Sequence, residues 1–126
     1  MGKPFETKRI ALDFDDTFTL EPERWSQFVA LFAAKDSGWC VKFVTYRFDS
    51  DDNSDIQFWA EKLGIEIIYC NGIQKAQVCA ELGWIPDVWI DDFPVLIPVK
   101  QQLQGMLLGI ENNEEKHNAK QFKGEC

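Results

Sequence analysis

The stretch IALDFDDTFTL, residues 10–20, runs from an apolar segment straight into Asp13, Asp15 and Asp16. Carboxylates crowded at the end of a buried strand repel one another and are costly to desolvate. Such an arrangement implies a hard cation held by oxygen ligands, or a carboxylate kept as a nucleophile. A second acidic pair, Asp91 and Asp92, ends the run VWIDD. Between them in sequence come Thr45, ending VKFVT, then Arg47, and Lys75 just beyond the Asn71–Gly72 turn. A hydroxyl and an ammonium are the groups that bind and neutralise phosphoryl oxygens. Arg47 reads either as a clamp for a second anionic group or as a surface residue. Asp16 reads as a solvated turn residue, and Thr17 equally as a site hydroxyl or a turn hydroxyl.

The pattern along the chain says what must position these groups. KRIALDF, WCVKFVTY, IEIIYC and PDVWIDD read as strands. EPERWSQFVALFAAKDSG, NSDIQFWAEKLG and IQKAQVCAELG read as helices between them. In the first helix Pro22 suits the opening turn, Trp25, Phe28, Val29 and Phe32 form the apolar face, and Gly38 supplies the stop. The second is expected to be capped near Asn53 or Ser54. Strands joined by crossover helices imply a parallel sheet with helices on both faces, a Rossmann-like three-layer α/β fold. Ligands of such sheets sit beyond the carboxyl ends of the strands. Asp13, Asp15, Thr45, Lys75, Asp91 and Asp92 all fall at those ends.

LDFDDTFT fits D-x-D-x-T, VKFVT is a strand ending in Thr45, Lys75 follows the third strand, and VWIDD ends the fourth. The order and spacing, over residues 8–92, resemble the four motifs of the haloacid dehalogenase (HAD) superfamily of phosphotransferases. The resemblance implies Asp13 as nucleophile, forming an aspartyl-phosphate, and Asp15 as general acid and then base. It implies that Thr45 hydrogen-bonds the phosphoryl group and that Lys75 neutralises it and holds the carboxylates. It implies Mg2+ on Asp13, the Asp15 main-chain carbonyl and Asp91, with Asp92 supporting the set. Dehalogenases and P-type ATPases of the family lack an acid at the Asp15 position, so the pattern resembles a phosphatase or phosphomutase. Asp16 stands where the family often has glycine.

The intervals from Asp13 to Thr45 and from Thr45 to Lys75 each hold only a helix and a strand, so neither has room for the cap domain common in this family. The chain resembles small, uncharacterised phosphatase-like proteins of bacteria and their phages. An open site of this kind admits a bulky phosphorylated substrate, or is covered by a loop or by a partner in a homo-oligomer. Phe14, Phe18, Phe48, Trp84 and Phe93 lie near the motifs and read as core residues or as stacking surfaces for a base. The expected activity is Mg2+-dependent hydrolysis of a phosphomonoester. The alternatives are a nucleotide or nucleic-acid-end phosphatase, and a non-catalytic HAD-fold protein that binds phosphate and Mg2+. A receiver-type phosphoacceptor is disfavoured, because its phosphorylated Asp would end the third strand, which here ends in YCNG.

The chain has 126 residues, 45% hydrophobic and 27% charged, with a net charge of −8. That length fits one domain, expected over residues 1–110, followed by a polar and mobile tail over 111–126. Within the domain, VLIPVKQQLQGMLLGI is ambiguous, with MLLGI a candidate last strand. The acidic balance argues against a broad nucleic-acid-binding surface. No apolar run approaches the roughly 20 residues of a membrane span, and the stretch MGKPFETKRI lacks the apolar segment of a secretory signal, so none is expected. Asp49, Asp51, Asn53 and Asp55 alternate as calcium ligands can, but the glycine and glutamate of an EF-hand loop are missing, so helix capping is expected. The four cysteines, Cys40, Cys70, Cys79 and Cys126, show no C-x-x-C spacing. They are expected to be free thiols of a reducing, cytoplasmic compartment.

Overall fold

A computed structural model describes residues 7–93, Ile97 and Cys126 of the chain. Strand β1 spans Lys8–Leu12, helix α1 Pro22–Phe32, β2 Trp39–Thr45, α2 Ser54–Leu63, β3 Ile67–Tyr69, α3 Lys75–Leu82 and β4 Val88–Ile90. The four strands form one all-parallel sheet in the order β3-β2-β1-β4. The expected strands and helices among the described residues are present, with shorter bounds. A single 3-10 turn over Phe18–Leu20, absent from the sequence expectation, joins β1 to α1. The ambiguous stretch after Phe93 and the polar tail lie outside the described residues, apart from Ile97 and Cys126.

The period of two in the strands sorts side chains onto the two faces of the sheet. Ile10 and Leu12 of β1 with Val41 and Phe43 of β2 point to one face, where Val29 of α1 and Ile56 and Ala60 of α2 complete the cluster. Ala11, Cys40, Val44 and Ile68 point to the other, where they meet Cys79 of α3 and Trp84. Helices therefore cover both faces, as the crossover pattern requires. Lys42 lies in the middle of β2 on the α3 side. Its stem is buried, while its ammonium reaches Glu66 at 2.6 Å and lies over the Trp84 ring.

Helix α1 starts as expected, with Pro22 in its first turn, but ends at Phe32 and not at Gly38. Ser37 explains part of the difference. Its hydroxyl donates to the Phe32 carbonyl at 2.6 Å and accepts from Trp39 N at 3.0 Å, closing a turn before β2. Gly38 instead serves the sheet edge, with its carbonyl accepting from Lys8 N at 2.9 Å.

Two aromatic residues hold the loop that leaves β1. Phe14 and Phe18 are fully buried, their ring centroids 5.5 Å apart and each about 5 Å from Phe43 in edge-on contact. Such pairs add about 0.5–1.5 kcal/mol each beyond area burial. The loop between them is anchored on the core, so Asp13, Asp15 and Thr17 are carried at the carboxyl edge of the sheet.

One expectation about the cysteines is overturned. Cys40 and Cys126 form a disulfide with Cα atoms 5.1 Å apart, closing a sequence separation of 86. Cys70 and Cys79 are free and buried, and burial pushes both thiols up to about 12. The expectation of a reducing compartment rested on unpaired cysteines and loses that support. Among the described residues, no helix is long and apolar enough to cross a membrane.

Candidate functional site

The order of the sheet places the crevice. The chain runs from β1 outward to β2 and β3, then returns to the other side of β1 for β4. The reversal lies between β1 and β4, and the crevice of a doubly wound sheet opens at that point beyond the strand ends. Asp13 follows β1 and Asp91 follows β4. Asp13 N donates to the Ile90 carbonyl at 2.9 Å, so the two strand ends are held side by side.

Lys75, the first residue of α3, enters this crevice from the far face. Its Nζ donates to Asp13 Oδ1 at 2.8 Å and to Asp91 Oδ2 at 2.5 Å, with the lysine side chain 1% exposed. Burial works against the ammonium, but the hydrogen bonds and charges of Asp13 and Asp91 outweigh it and hold the Lys75 pKa above its ordinary value. Asp13 behaves differently. Burial pushes its carboxyl up to about 7, against the hydrogen bond and charge of Lys75, and Asp92 and Asp91 add to the rise.

Thr17 closes the other side. Its hydroxyl donates to Asp13 Oδ2 at 3.0 Å and lies 3.3 Å from Asp92 Oδ1. Both oxygens of Asp13 are thus held, one by Lys75 and one by Thr17. Asp91 Oδ1 accepts from Phe93 N at 2.9 Å, which fixes the second carboxylate on its own turn. Asp13, Asp91 and Asp92 can each offer an oxygen within 4.8 Å of the others. Octahedral ligands about 2.1 Å from a small divalent ion lie about 3–4 Å from one another. The donor set is all oxygen, and three carboxylates face one ammonium, so the residues present fit a hard cation.

Asp15 is placed apart from this group. Both of its carboxylate oxygens pair with Arg47, Oδ1 with Nη2 at 2.8 Å and Oδ2 with Nε at 3.0 Å. Among the described residues its side chain has no other partner, and it is not within the set that could share a cation. Arg47 also pairs with Asp55, which holds that carboxyl at about 2, well below its ordinary value. The expected side-chain cap of α2 does not form. Asn53 stands at the cap position, but its amide nitrogen donates to the Phe48 and Asp51 carbonyls and its oxygen accepts from Arg47. Asp52 takes the capping part instead, accepting from Ser54 N at 3.1 Å.

Thr45 ends β2 fully buried, and its hydroxyl oxygen accepts from Arg47 N at 3.2 Å. Among the described residues its proton has no acceptor, so it is free to donate. Asp16 has φ of 61°, the left-handed region that glycine enters most readily and Asp tolerates. Its main-chain N–H donates to Thr19 Oγ1 at 2.9 Å, which fixes that turn. Gly72 has φ of 79° and lies under Phe48, whose ring tip would be 2.9 Å from an added Cβ.

The aromatic residues divide. Phe14, Phe18 and Trp84 are core, while Phe48 and Phe93 are 49% and 54% exposed on the loops after β2 and β4. A cleft of about 300 Å3 adjoins Asp91 and Asp92 and is lined on its apolar side by Leu20, Trp25 and Ile90. A larger cleft of about 490 Å3 lies at the amino end of β3, beside Gln57, Glu61 and Ile65, on the opposite edge of the sheet from the carboxylates.

Of the residues singled out in the sequence, Asp13, Lys75, Asp91 and Asp92 form one group, Thr45 ends the strand beside it, and Asp15 belongs to the Arg47 network. Sequence left Thr17 and Arg47 undecided and read Asp55 only as a helix-capping residue. Thr17 had a signal in its spacing of four from Asp13, but a turn hydroxyl carries the same one. Asp55 had none, since an acidic residue in the first turn of a helix is expected for the helix alone. No protein-family model matches this chain, and neither a curated protein nor a solved structure matches it.

Proposed function

We propose that this protein is a capless phosphatase of the HAD type, hydrolysing phosphomonoesters with Mg2+ through an aspartyl-phosphate on Asp13. The observation that carries the reading is the position of Asp13. It stands at the reversal point of a parallel sheet, with one oxygen on a buried ammonium and two more carboxylates within reach of a shared cation. Between Asp13 and Thr45 lie only a 3-10 turn, α1 and β2, and between Thr45 and Lys75 only α2 and β3, which supports a site without a cap.

A divalent cation among Asp13, Asp91 and Asp92 would supply positive charge that favours the ionised form of Asp13 and draws electrons from the phosphoryl group. In the first step an Asp13 oxygen attacks phosphorus and the ester P–O bond breaks. The leaving oxygen takes a proton from Asp15. In the second, Asp15 takes a proton from water, whose oxygen attacks the aspartyl-phosphate and releases phosphate and free Asp13. Lys75 balances the negative charge on the transferred group, and the Thr45 hydroxyl has its proton free for a phosphoryl oxygen. The exposed Phe48 and Phe93 favour one narrower reading, a nucleotide as substrate with its base stacked at the rim.

The test is phosphate release from aryl phosphate, sugar phosphates, 5′- and 3′-nucleotides, a 3′-phosphorylated oligonucleotide and a phosphopeptide, with Mg2+, beside the Asp13→Asn variant. Release that needs Mg2+ and vanishes in the folded variant is the expected result. Turnover near wild type in Asp13→Asn would remove the nucleophile. No release from any compound, with Mg2+ still bound in calorimetry, would leave a protein that binds but does not turn over.

A further inference from the structure

Arg47 spends its whole hydrogen-bonding capacity inside the chain. A guanidinium carries five N–H donors in a planar fork. Nε and one donor each from Nη1 and Nη2 would already serve a single carboxylate and one neighbour, but here all are taken. Nε and Nη2 fork onto Asp15 at 3.0 and 2.8 Å, Nη1 and Nη2 fork onto Asp55 at 2.8 and 3.0 Å, and Nη1 reaches Asn53 Oδ1 at 3.2 Å. No donor is left for a substrate anion, so the clamp considered from sequence is already filled by the protein's own carboxylates. The guanidinium also lies over the buried Phe14 ring at 5.3 Å. Asn53, itself 3% exposed, is fixed by the Phe48 and Asp51 carbonyls.

Asp15 depends on this support. Its side chain is 49% exposed and bonds to nothing else among the described residues. A carboxylate has about four lone-pair positions, and the fork uses two, leaving others for a leaving oxygen or a water. We propose that Arg47 is the positioning residue of the acid/base Asp15, and that Asp55 and Asn53 at the start of α2 hold Arg47 in turn. The inference rests on the phosphatase reading and adds to it the group that aims the proton donor. Misplacement of a reacting group by about 1 Å can cost about 100-fold in rate.

The experiment compares kcat/KM of the wild type, Arg47→Lys and Asp55→Asn on two Mg2+-supported substrates, an activated aryl phosphate and an alkyl phosphate. The ratio kcat/KM reports steps only through departure of the leaving group. An acidic phenol leaves without a proton, whereas an alkoxide needs one from Asp15. Arg47→Lys keeps the charge and loses the fork, so it should cut the alkyl ester about 10- to 100-fold and the aryl ester less than about 3-fold. Asp55→Asn should shift the same ratio less, and it keeps the test alive if Arg47→Lys does not fold. Equal losses on both esters, or none, would overturn the positioning role. A wild type that hydrolyses neither ester overturns the phosphatase reading itself, a result distinct from an active enzyme with an unchanged ratio.

Discussion

Lys75 and Asp13, separated by 62 positions in sequence, form a buried ion pair at 2.8 Å, and the same ammonium holds Asp91. Its removal would strand two carboxylates in a site that water barely reaches. Breaking a buried pair by deleting one partner costs about 3–5 kcal/mol. Lys75→Met is therefore expected to lower stability by about that amount, read as a denaturant midpoint at neutral pH. A midpoint equal to wild type would mean that solvent already screens the pair.

The cation fit rests on three carboxylates. Asp91→Asn should weaken Mg2+ binding by at least about 10-fold in calorimetry, since a neutral amide replaces a charged oxygen ligand. Ca2+ is larger and accepts looser geometry, so it should occupy the same site and inhibit the proposed Mg2+-dependent phosphate release. Activation by Ca2+ would count against the mechanism.

The Arg47–Asp55 pair gives a dependence on pH with a definite sign. Asp55 titrates at about 2 in the folded protein against an ordinary 3.8. The unfolded chain binds the extra proton between those values, so the pair's stabilisation is complete above the upper value and is lost as pH falls through the lower. The melting temperatures of wild type and Asp55→Asn should differ by a small constant at neutral pH and converge as pH falls from 4 toward 2. The difference should be small because the carboxylate is 56% exposed and solvent screens it. A gap that widens in acid would reverse the assignment.

The disulfide can be counted. Denatured but unreduced protein should show two reactive thiols, Cys70 and Cys79, and all four cysteines should react after reduction. Cys126→Ser should lower stability by about 2–4 kcal/mol, because a cross-link closing a long loop restricts the unfolded chain. Four thiols without reduction would remove the bond.

Local physics made much of this molecule legible in advance. Apolar runs bounded by turn residues identified all four described strands, Pro22 marked the start of α1, and the glycines that close the two later helical runs, Gly64 and Gly83, take the left-handed conformation at the ends of α2 and α3. The parallel crossover pattern then put Asp13, Asp91 and Lys75 at one edge. The spacing of Thr17 from Asp13 also lay within a single turn, but a turn hydroxyl has the same spacing, so its contact with Asp13 was not decided there.

Tertiary structure alone decided which charge meets which. Asp15 sits beside Asp13 in sequence yet pairs with Arg47, because the start of α2 brings Asp55 and Asn53 to the other side of the guanidinium. Asn53 has the composition of a helix cap but spends its amide on a loop that must pass close to it. The Cys40–Cys126 bond joins the second strand to the last residue, and no spacing rule reaches across that distance. Periodicity and capping act over a few residues, whereas these partners were chosen by the packing of distant segments, where burial and charge compensation are settled together.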